Sequence, residues 1–272
     1  MRAPGGEQPV EEPVRGPLRA GEQVLFRDAR GRRYLVSLAA GGRFHTHTGV
    51  VDHDEVLGNP EGTTVRSATG ARFVVVRPTL ADMVLSMPRG AQVIYPKDLG
   101  AILIAADIFP GARVLEAGVG SGALSMALVR AGADVIGYEV RADFAERARA
   151  NVANLPRGGG PGAGFRVEAR DVYQGIDEED LDRVVLDLPE PWRVLPHARG
   201  ALAPGGILVA YLPSIHQVSE LREALGEAGF GLAETFEVLH RSWHVAGRSV
   251  RPDHRMVAHT GFLTTARLLE PR

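Results

Sequence analysis

The sequence predicts an α/β protein: a mostly parallel, Rossmann-like sheet with a C-terminal antiparallel strand pair, preceded by a small all-β domain. Three observations carry that reading. From Arg113 to Ala228 short apolar runs alternate with helix-patterned stretches, which implies parallel strands with helices on both faces. A glycine turn, Gly118-Val-Gly120-Ser-Gly122, joins the first run to its helix. Between Gln23 and Arg77 the helical pattern is absent, and short β-type runs are separated by Asp/Gly turns.

Residues 1–19 are rich in Pro, Gly and Glu and are expected to be disordered. The β domain, 20–79, carries Val24-Leu25-Phe26, a turn at Asp28–Gly31, Tyr34–Leu38, Thr64–Ser67, a turn at Thr69-Gly70, and Arg72–Val76, the makings of a small sheet or barrel. The remainder, 80–272, opens on a linker up to Pro96 with some helix near Leu80–Met87. Asp98 is expected to cap a helix over Leu99–Ile108. Strands are expected at Arg113–Ala117, Asp134–Glu139, Phe165–Ala169, Arg183–Leu188 and Gly206–Leu212. Helices should fall near Leu124–Ala131, Ala142–Asn154, Trp192–Leu202 and Ile215–Ala228. Beyond Gly229 two strand-like stretches, Glu234–Val245 and His259–Leu268, follow without a helix between them, so they should pair antiparallel at the sheet edge.

Composition narrows the classes. The hydrophobic fraction of 44% supports a packed core, and no apolar stretch approaches the ~20 residues of a membrane helix. The polar start lacks a signal peptide's apolar segment, and with no cysteine a cytoplasmic protein is the simplest expectation. A net charge of -2 does not advertise nucleic-acid binding, although Arg241, Arg248, Arg251 and Arg255 concentrate positive charge late in the chain. Lys97 is the only lysine.

The βαβ unit from Val114 to Glu139 is the expected seat of a nucleoside-bearing ligand. Gly118, Gly120 and Ala123 satisfy G-x-G-x-x-G/A, so an NAD-dependent oxidoreductase stays open. Glu116 argues against it, because a carboxylate two residues before the first glycine opposes a pyrophosphate above the turn. A cofactor with a sulfonium and an amino group but no phosphate, S-adenosylmethionine, suits that acidic rim. Glu139 lies 21 residues beyond Gly118, near the ~20 residues expected of a ribose-binding acid. Asp171 follows the third strand, where in such a site it offers a carboxylate to the adenine amino group and Val172 its backbone N–H. Asp187 ends the fourth strand in Asp187-Leu-Pro-Glu-Pro-Trp192, whose prolines fix an extended loop. Trp192 would stack on a base or simply pack. His45, His47, His53 and the acids Asp52 and Asp54 have metal-ligand spacing, but no third element enforces it, and structural or RNA-facing histidines are the expectation.

Together these segments resemble the tRNA (adenine-N1) methyltransferases that modify adenine 58 of the T-loop, in their bacterial and archaeal form. The matching residues are Phe44-His-Thr-His47, Gly49, His53-Asp54, Arg77-Pro78, Gln92-Val-Ile-Tyr-Pro-Lys-Asp98, Val114–Leu124, Tyr138-Glu139, Asp187 with Pro191-Trp192, Tyr211-Leu-Pro213, Gln217-Val218, His259-Thr260 and Phe262-Leu263. They cover nearly all the chain after residue 20, and the Tyr-Pro-Lys-Asp element is the specific part. The resemblance implies a class I SAM-dependent methyltransferase sheet. It implies SAM contacts from Gln92, from the turn through Ser121, Gly122, Ala123 and Leu124, and from Glu139, Phe144, Asp171 and Asp187. Tyr95 and Tyr211 would line the target-base pocket. It further implies a homotetramer whose tRNA substrate spans neighbouring subunits. The chain departs from the pattern in a short link at Arg130–Asp134, a glycine-rich stretch at 156–164, and a phenylalanine at position 144 where a polar residue is common.

The chemistry expected is in-line methyl transfer to N1 of an extruded adenine, with Asp187 stabilising the developing charge and accepting the N6 proton. A SAM methyltransferase with another RNA, protein or small-molecule acceptor, and a non-catalytic RNA-binding scaffold, remain as alternatives.

Overall fold

Hydrophobic alternation with a period of two builds the N-terminal part, and a period near 3.6 enters only after it. The computed structural model describes residues 16–87, 92–155, 159–160 and 162–269, in two compact units divided after residue 88. Most of the segment expected to be disordered, 1–15, lies outside the described residues, as do 156–158 and 161 of the glycine-rich stretch.

The first unit contains β1 (Gln23–Asp28), β2 (Arg33–Ser37), β3 (Arg43–Thr46), β4 (Gly49–Asp52), β5 (Thr64–Arg66), β6 (Arg72–Val76) and α1 (Leu80–Ser86). The strands in order β2-β1-β6-β5 form an antiparallel sheet, open rather than closed into a barrel, while β3 and β4 pair as a separate hairpin. Val24, Phe26, Val65, Phe73 and Val75 project to one face of the sheet and pack with Val51 and Phe44. The rings of Phe26 and Phe44 stand 4.7 Å apart. Arg77 is buried but fully engaged: it pairs with Glu22 at 2.9 Å and Glu61 at 3.3 Å and donates to the carbonyls of Gly16 and Pro17. A buried charge is tolerated only with such complete pairing. Helix α1 starts at a capping box between Thr79 and Asp82, and Asp82 also receives Arg33 at 2.9 Å.

The second unit contains α2 (Pro96–Ala105), β7 (Arg113–Ala117), α3 (Ala123–Arg130), β8 (Asp134–Tyr138), α4 (Ala142–Ala153), β9 (Gly164–Glu168), β10 (Leu181–Leu186), α5 (Leu195–Ala201), β11 (Leu202–Leu212), α6 (Ile215–Glu227), β12 (Phe230–Phe236), β13 (Trp243–Ala246), β14 (Ser249–Pro252) and β15 (Phe262–Leu268). Its seven-stranded sheet runs β12-β15-β11-β10-β7-β8-β9, parallel from β11 to β9. β15 slots antiparallel between β11 and β12. Strands β7, β10 and β11 are buried nearly throughout, as strands covered on both faces must be.

Four expectations are corrected. The first helix of this unit begins three residues early, at Pro96, because proline fits the first helical turn. Asp98 is therefore inside the helix and does not cap it. The expected helix Trp192–Leu202 is a 3-10 turn, Pro191–Val194, followed by a short α5. The expected strand Glu234–Val245 is instead the end of β12, a non-strand stretch at 237–242, and the first three residues of β13 in the hairpin β13–β14.

Candidate active site

The sheet's connectivity decides where a site can form. From β7 the chain steps outward through β8 and β9, then returns to β10 on the other side of β7. Helices depart in opposite directions at this switch point, so a crevice opens at the carboxyl ends of β7 and β10. A cleft of about 410 Å³ lies there, with Gly118, Gly120, Glu139, Asp171 and Asp187 among its lining residues. A tighter recess beside it is lined by Glu116, Ser121, Ala123 and Leu124. Gln92, Gly118, Gly120 and Asp187 border both.

Two glycines are required by space. Gly118 has φ 84°, and a Cβ there would collide with the carbonyl of Asp187. Gly122, at φ 82°, has the backbone of Ala148 on α4 3.1 Å from where its Cβ would stand, so it serves helix packing rather than lining the cleft. The peptide N–H of Asp187 in turn donates to Ala117 at 2.9 Å, which fixes the loop after β10 against the glycine turn.

The four acids differ in their partners. Glu139 is buried; its two oxygens accept the N–H groups of Gly120 at 2.8 Å and Arg141 at 3.0 Å. It is a rigid acceptor rather than a loose strand-end carboxylate. Asp171 caps the 3-10 turn Val172–Gln174 by accepting from the Tyr173 N–H at 3.0 Å. Glu116 is 1% exposed and accepts from the Ser125 hydroxyl at 2.6 Å. Burial, opposed by the Ser125 hydrogen bond and aided by the neighbouring Asp187 and Glu139, pushes its carboxyl up to about 8. The exposed acidic rim expected from Glu116 is thus a sealed acid at the base of the recess. Asp187 has no hydrogen-bond partner for its side chain among the described residues, and withdrawal from water pushes it up to about 7. A group half-ionised near neutrality, in a cleft and without a protein donor, has the character of a proton acceptor.

Besides Gly122, three residues expected at the site stand apart from both recesses. Phe144 is buried under the guanidinium of Arg141, 3.7 Å from its ring centroid. It reaches the cleft only through Arg141, which does line it. Tyr95 is the residue preceding α2 and is partly buried. Tyr211 is buried in a polar network: its hydroxyl donates to Asp98 at 3.4 Å, Thr260 donates to the same oxygen at 2.6 Å, and Lys97 donates to Asp98 at 2.7 Å and to Thr260 at 2.6 Å. Gly261 is obligatory beside it, because a Cβ would meet the Tyr211 ring at 2.5 Å. Burial raises the Tyr211 phenol to about 12, so it is a neutral donor.

Sequence reasoning missed Tyr138, Val140, Arg141, Arg170, Tyr173, Leu188 and Pro189, which complete the cleft wall. Position relative to strand ends could have found them, since each is within two residues of an expected site residue or follows one directly. Gln217 donates to the Pro189 carbonyl at 2.9 Å and so anchors the proline loop. Trp192 packs against the core rather than the cleft. His53 is buried and accepts the Ala39 N–H at 3.1 Å, while His45 and His47 are exposed. Among the described residues no group of His, Asp and Glu is arranged to hold a metal ion.

The family model described as "tRNA methyltransferase complex GCD14 subunit" matches residues 72–251, and one described as "TrmI-like N-terminal" matches 16–65. The chain belongs to this tRNA methyltransferase family. The tRNA (adenine(57)-N(1)/adenine(58)-N(1))-methyltransferase TrmI of Methanocaldococcus jannaschii is 37% identical, covering 90% of this chain and 94% of the relative. The tRNA (adenine(58)-N(1))-methyltransferase TrmI of Thermus thermophilus is 40% identical over 90% of this chain and 96% of its own length. Among solved structures, a SAM-dependent O-methyltransferase from Thermotoga maritima superimposes with a TM-score of 0.87 at 33% identity, covering 94% of this chain and 96% of that one. The open sheet with an inserted antiparallel strand is accordingly the class I SAM methyltransferase fold.

Proposed function

We propose that this protein transfers a methyl group from S-adenosylmethionine to N1 of adenine 58 in the T-loop of tRNA, acting in the cytoplasm as a homotetramer. The observation that carries the reaction is Asp187, an acid of raised pKa without a protein partner at the sheet's switch point, in a chain of the tRNA methyltransferase family.

The residues fit the cofactor on donor chemistry. The Gly120 peptide N–H of the glycine turn is already taken by Glu139, and Asp187 borders the same turn, which suits a cationic sulfonium and amine better than a pyrophosphate. That tells against NAD. Glu139 Oε1 accepts both the peptide N–H and the guanidinium Nε of Arg141, while Oε2 accepts only the Gly120 N–H and keeps a lone pair for a ribose hydroxyl. Asp171 keeps its second oxygen for the adenine amine, and the Val172 N–H lies beside it. Gln92, Ser121, Ala123 and Leu124 would close the methionine end. When bound, the cofactor supplies the electrophilic methyl group.

The target adenine is held by this chain's residues. N1 is on the Watson–Crick edge, so the base must leave its stack to be reached. Tyr95 and Tyr211 would flank it, Tyr211 held in place by Asp98 and Thr260. Asp187 accepts a hydrogen bond from N6 and takes its proton as positive charge develops on the ring. Orientation provides much of the remaining acceleration.

Incubation with SAM and a tRNA transcript, followed by mapping of the methylated position, should yield 1-methyladenine at 58, and none on a transcript carrying guanine there. Similarity to the Thermotoga O-methyltransferase favours one second reading, a hydroxyl acceptor. Methylation of a hydroxyl with no modification of tRNA would replace the adenine-58 assignment.

A further inference from the structure

The small β unit carries a feature that its own folding does not explain. Phe26, Val65 and Phe73 face its core, so their neighbours Arg27, Arg66 and Arg72 project from the opposite face of the sheet. Register places Arg27 directly across from Arg33, and Arg66 directly across from Arg72. Since Arg27 pairs with Val74, Arg72 is its diagonal neighbour. The result is a band, Arg33–Arg27–Arg72–Arg66, crossing all four strands with every member exposed. At ~4.8 Å per strand it is about 14 Å long.

Like charges directly across a sheet are destabilising, and this sheet contains two such pairs side by side. Among the described residues, acids neutralise only one of the four, Arg33. Asp82 takes Arg33, and Asp28 is committed to Arg32 at 2.6 Å and to the peptide N–H of Arg30. Arg66 donates to the Gly70 carbonyl at 3.3 Å. Arg27 and Arg72 have no acidic partner among the described residues, and they share a recess of about 380 Å³ with Asp28, Ala29, Gly31 and Val74. The chain's net charge of -2 conceals this local excess.

We infer that this band is a phosphate-binding surface for the sugar–phosphate backbone of the tRNA, with Arg27 and Arg72 as its central contacts. The inference rests on the proposed tRNA substrate. Guanidinium forks match phosphate oxygens bidentately, and a row of them whose shared recess is lined, among the described residues, by no aromatic ring for a base to stack on reads backbone rather than bases. A polyanion lying across the band would turn the unfavourable cross-strand pairs into shared contacts. The repulsion stored in the free sheet thereby becomes part of the affinity.

The test uses the full chain, an unmodified tRNA transcript as probe, and the double variant Arg27→Gln/Arg72→Gln. Binding is measured across about 50 to 200 mM salt. The slope of log affinity against log salt should fall by about 2, one for each phosphate that no longer meets a guanidinium, with tRNA affinity about tenfold weaker. SAM binding by calorimetry should be unchanged. The melting temperature should rise by about 1–3 °C, because two like-charge pairs are relieved. A slope and affinity equal to wild type would overturn the proposal, as would a lower melting temperature, which would mean that these arginines serve the fold. Wild-type methylation at a tRNA position other than 58, with the reduced slope still present in the variant, would sink the adenine-58 reading and leave the band standing.

Discussion

Asp98 and Asp187 lie at two ends of the same chemistry and are treated in opposite ways. Asp98, wholly buried near the start of α2, accepts from Lys97, Thr260 and Tyr211. Asp187, at the end of β10, accepts from no side chain or peptide of the described protein. A carboxylate with a donor on each oxygen, and two on one of them, is held still and holds others still. One left without donors carries an unmet electrostatic demand, and a substrate amine can meet it. On the proposed reaction, the contrast separates a positioning acid from a reacting one more clearly than burial does.

Substitution can break this contrast. Asp187→Asn should lower kcat by ~10²–10⁴-fold, the range of a general base, with SAM affinity and fold retained; methylation kinetics beside calorimetry would show it, and near-normal turnover would remove the base assignment. Asp98→Ala should act chiefly on the fold. It leaves Lys97 buried without its counter-ion, costing ~3–5 kcal/mol of stability, read as a large drop in the denaturation midpoint. A smaller effect is expected from pH. Methyl transfer should rise about tenfold per pH unit as Asp187 ionises and level off above about 7, whereas Asp187→Asn should show a flat profile. Stability runs the other way: the folded pKa lies above the ordinary 3.8, so Asp187's contribution is present at low pH and lost as pH rises through about 7. Relative to Asp187→Asn, wild-type melting temperature should therefore decline over that window. Smallest is Thr260→Val, which removes one hydroxyl from the Asp98 network and should cost ~1 kcal/mol; its informative readout is a lower kcat at unchanged SAM affinity, from a loosened Tyr211.

The strands flanking the cleft were legible because burial on both faces writes them as short apolar runs, and β7 was recovered to the residue. The glycine turn and the acids after β8, β9 and β10 were legible because their positions are fixed by topology. Partnership was not. Nothing near Glu116 in the sequence indicates that Ser125, in the first turn of α3, would seal it from water. Asp98 looked like a helix cap because the residues that claim it, Tyr211 and Thr260, stand 113 and 162 positions away. The hairpin β13–β14 escaped because its strands are four residues long and expose Trp243, Val245 and Val250, giving no inward-facing pattern to detect.

The packing of Gly118 against the Asp187 carbonyl has a kinetic consequence. Any side chain at position 118 pushes on the same loop that aims the Asp187 carboxylate. The proposed cofactor seat and base therefore form a single mutational target: a Gly118→Ala enzyme should not trade KM against kcat, but show a higher KM and a lower kcat together. For the same reason, a change of cofactor preference at this turn would have to bring a new catalytic loop with it.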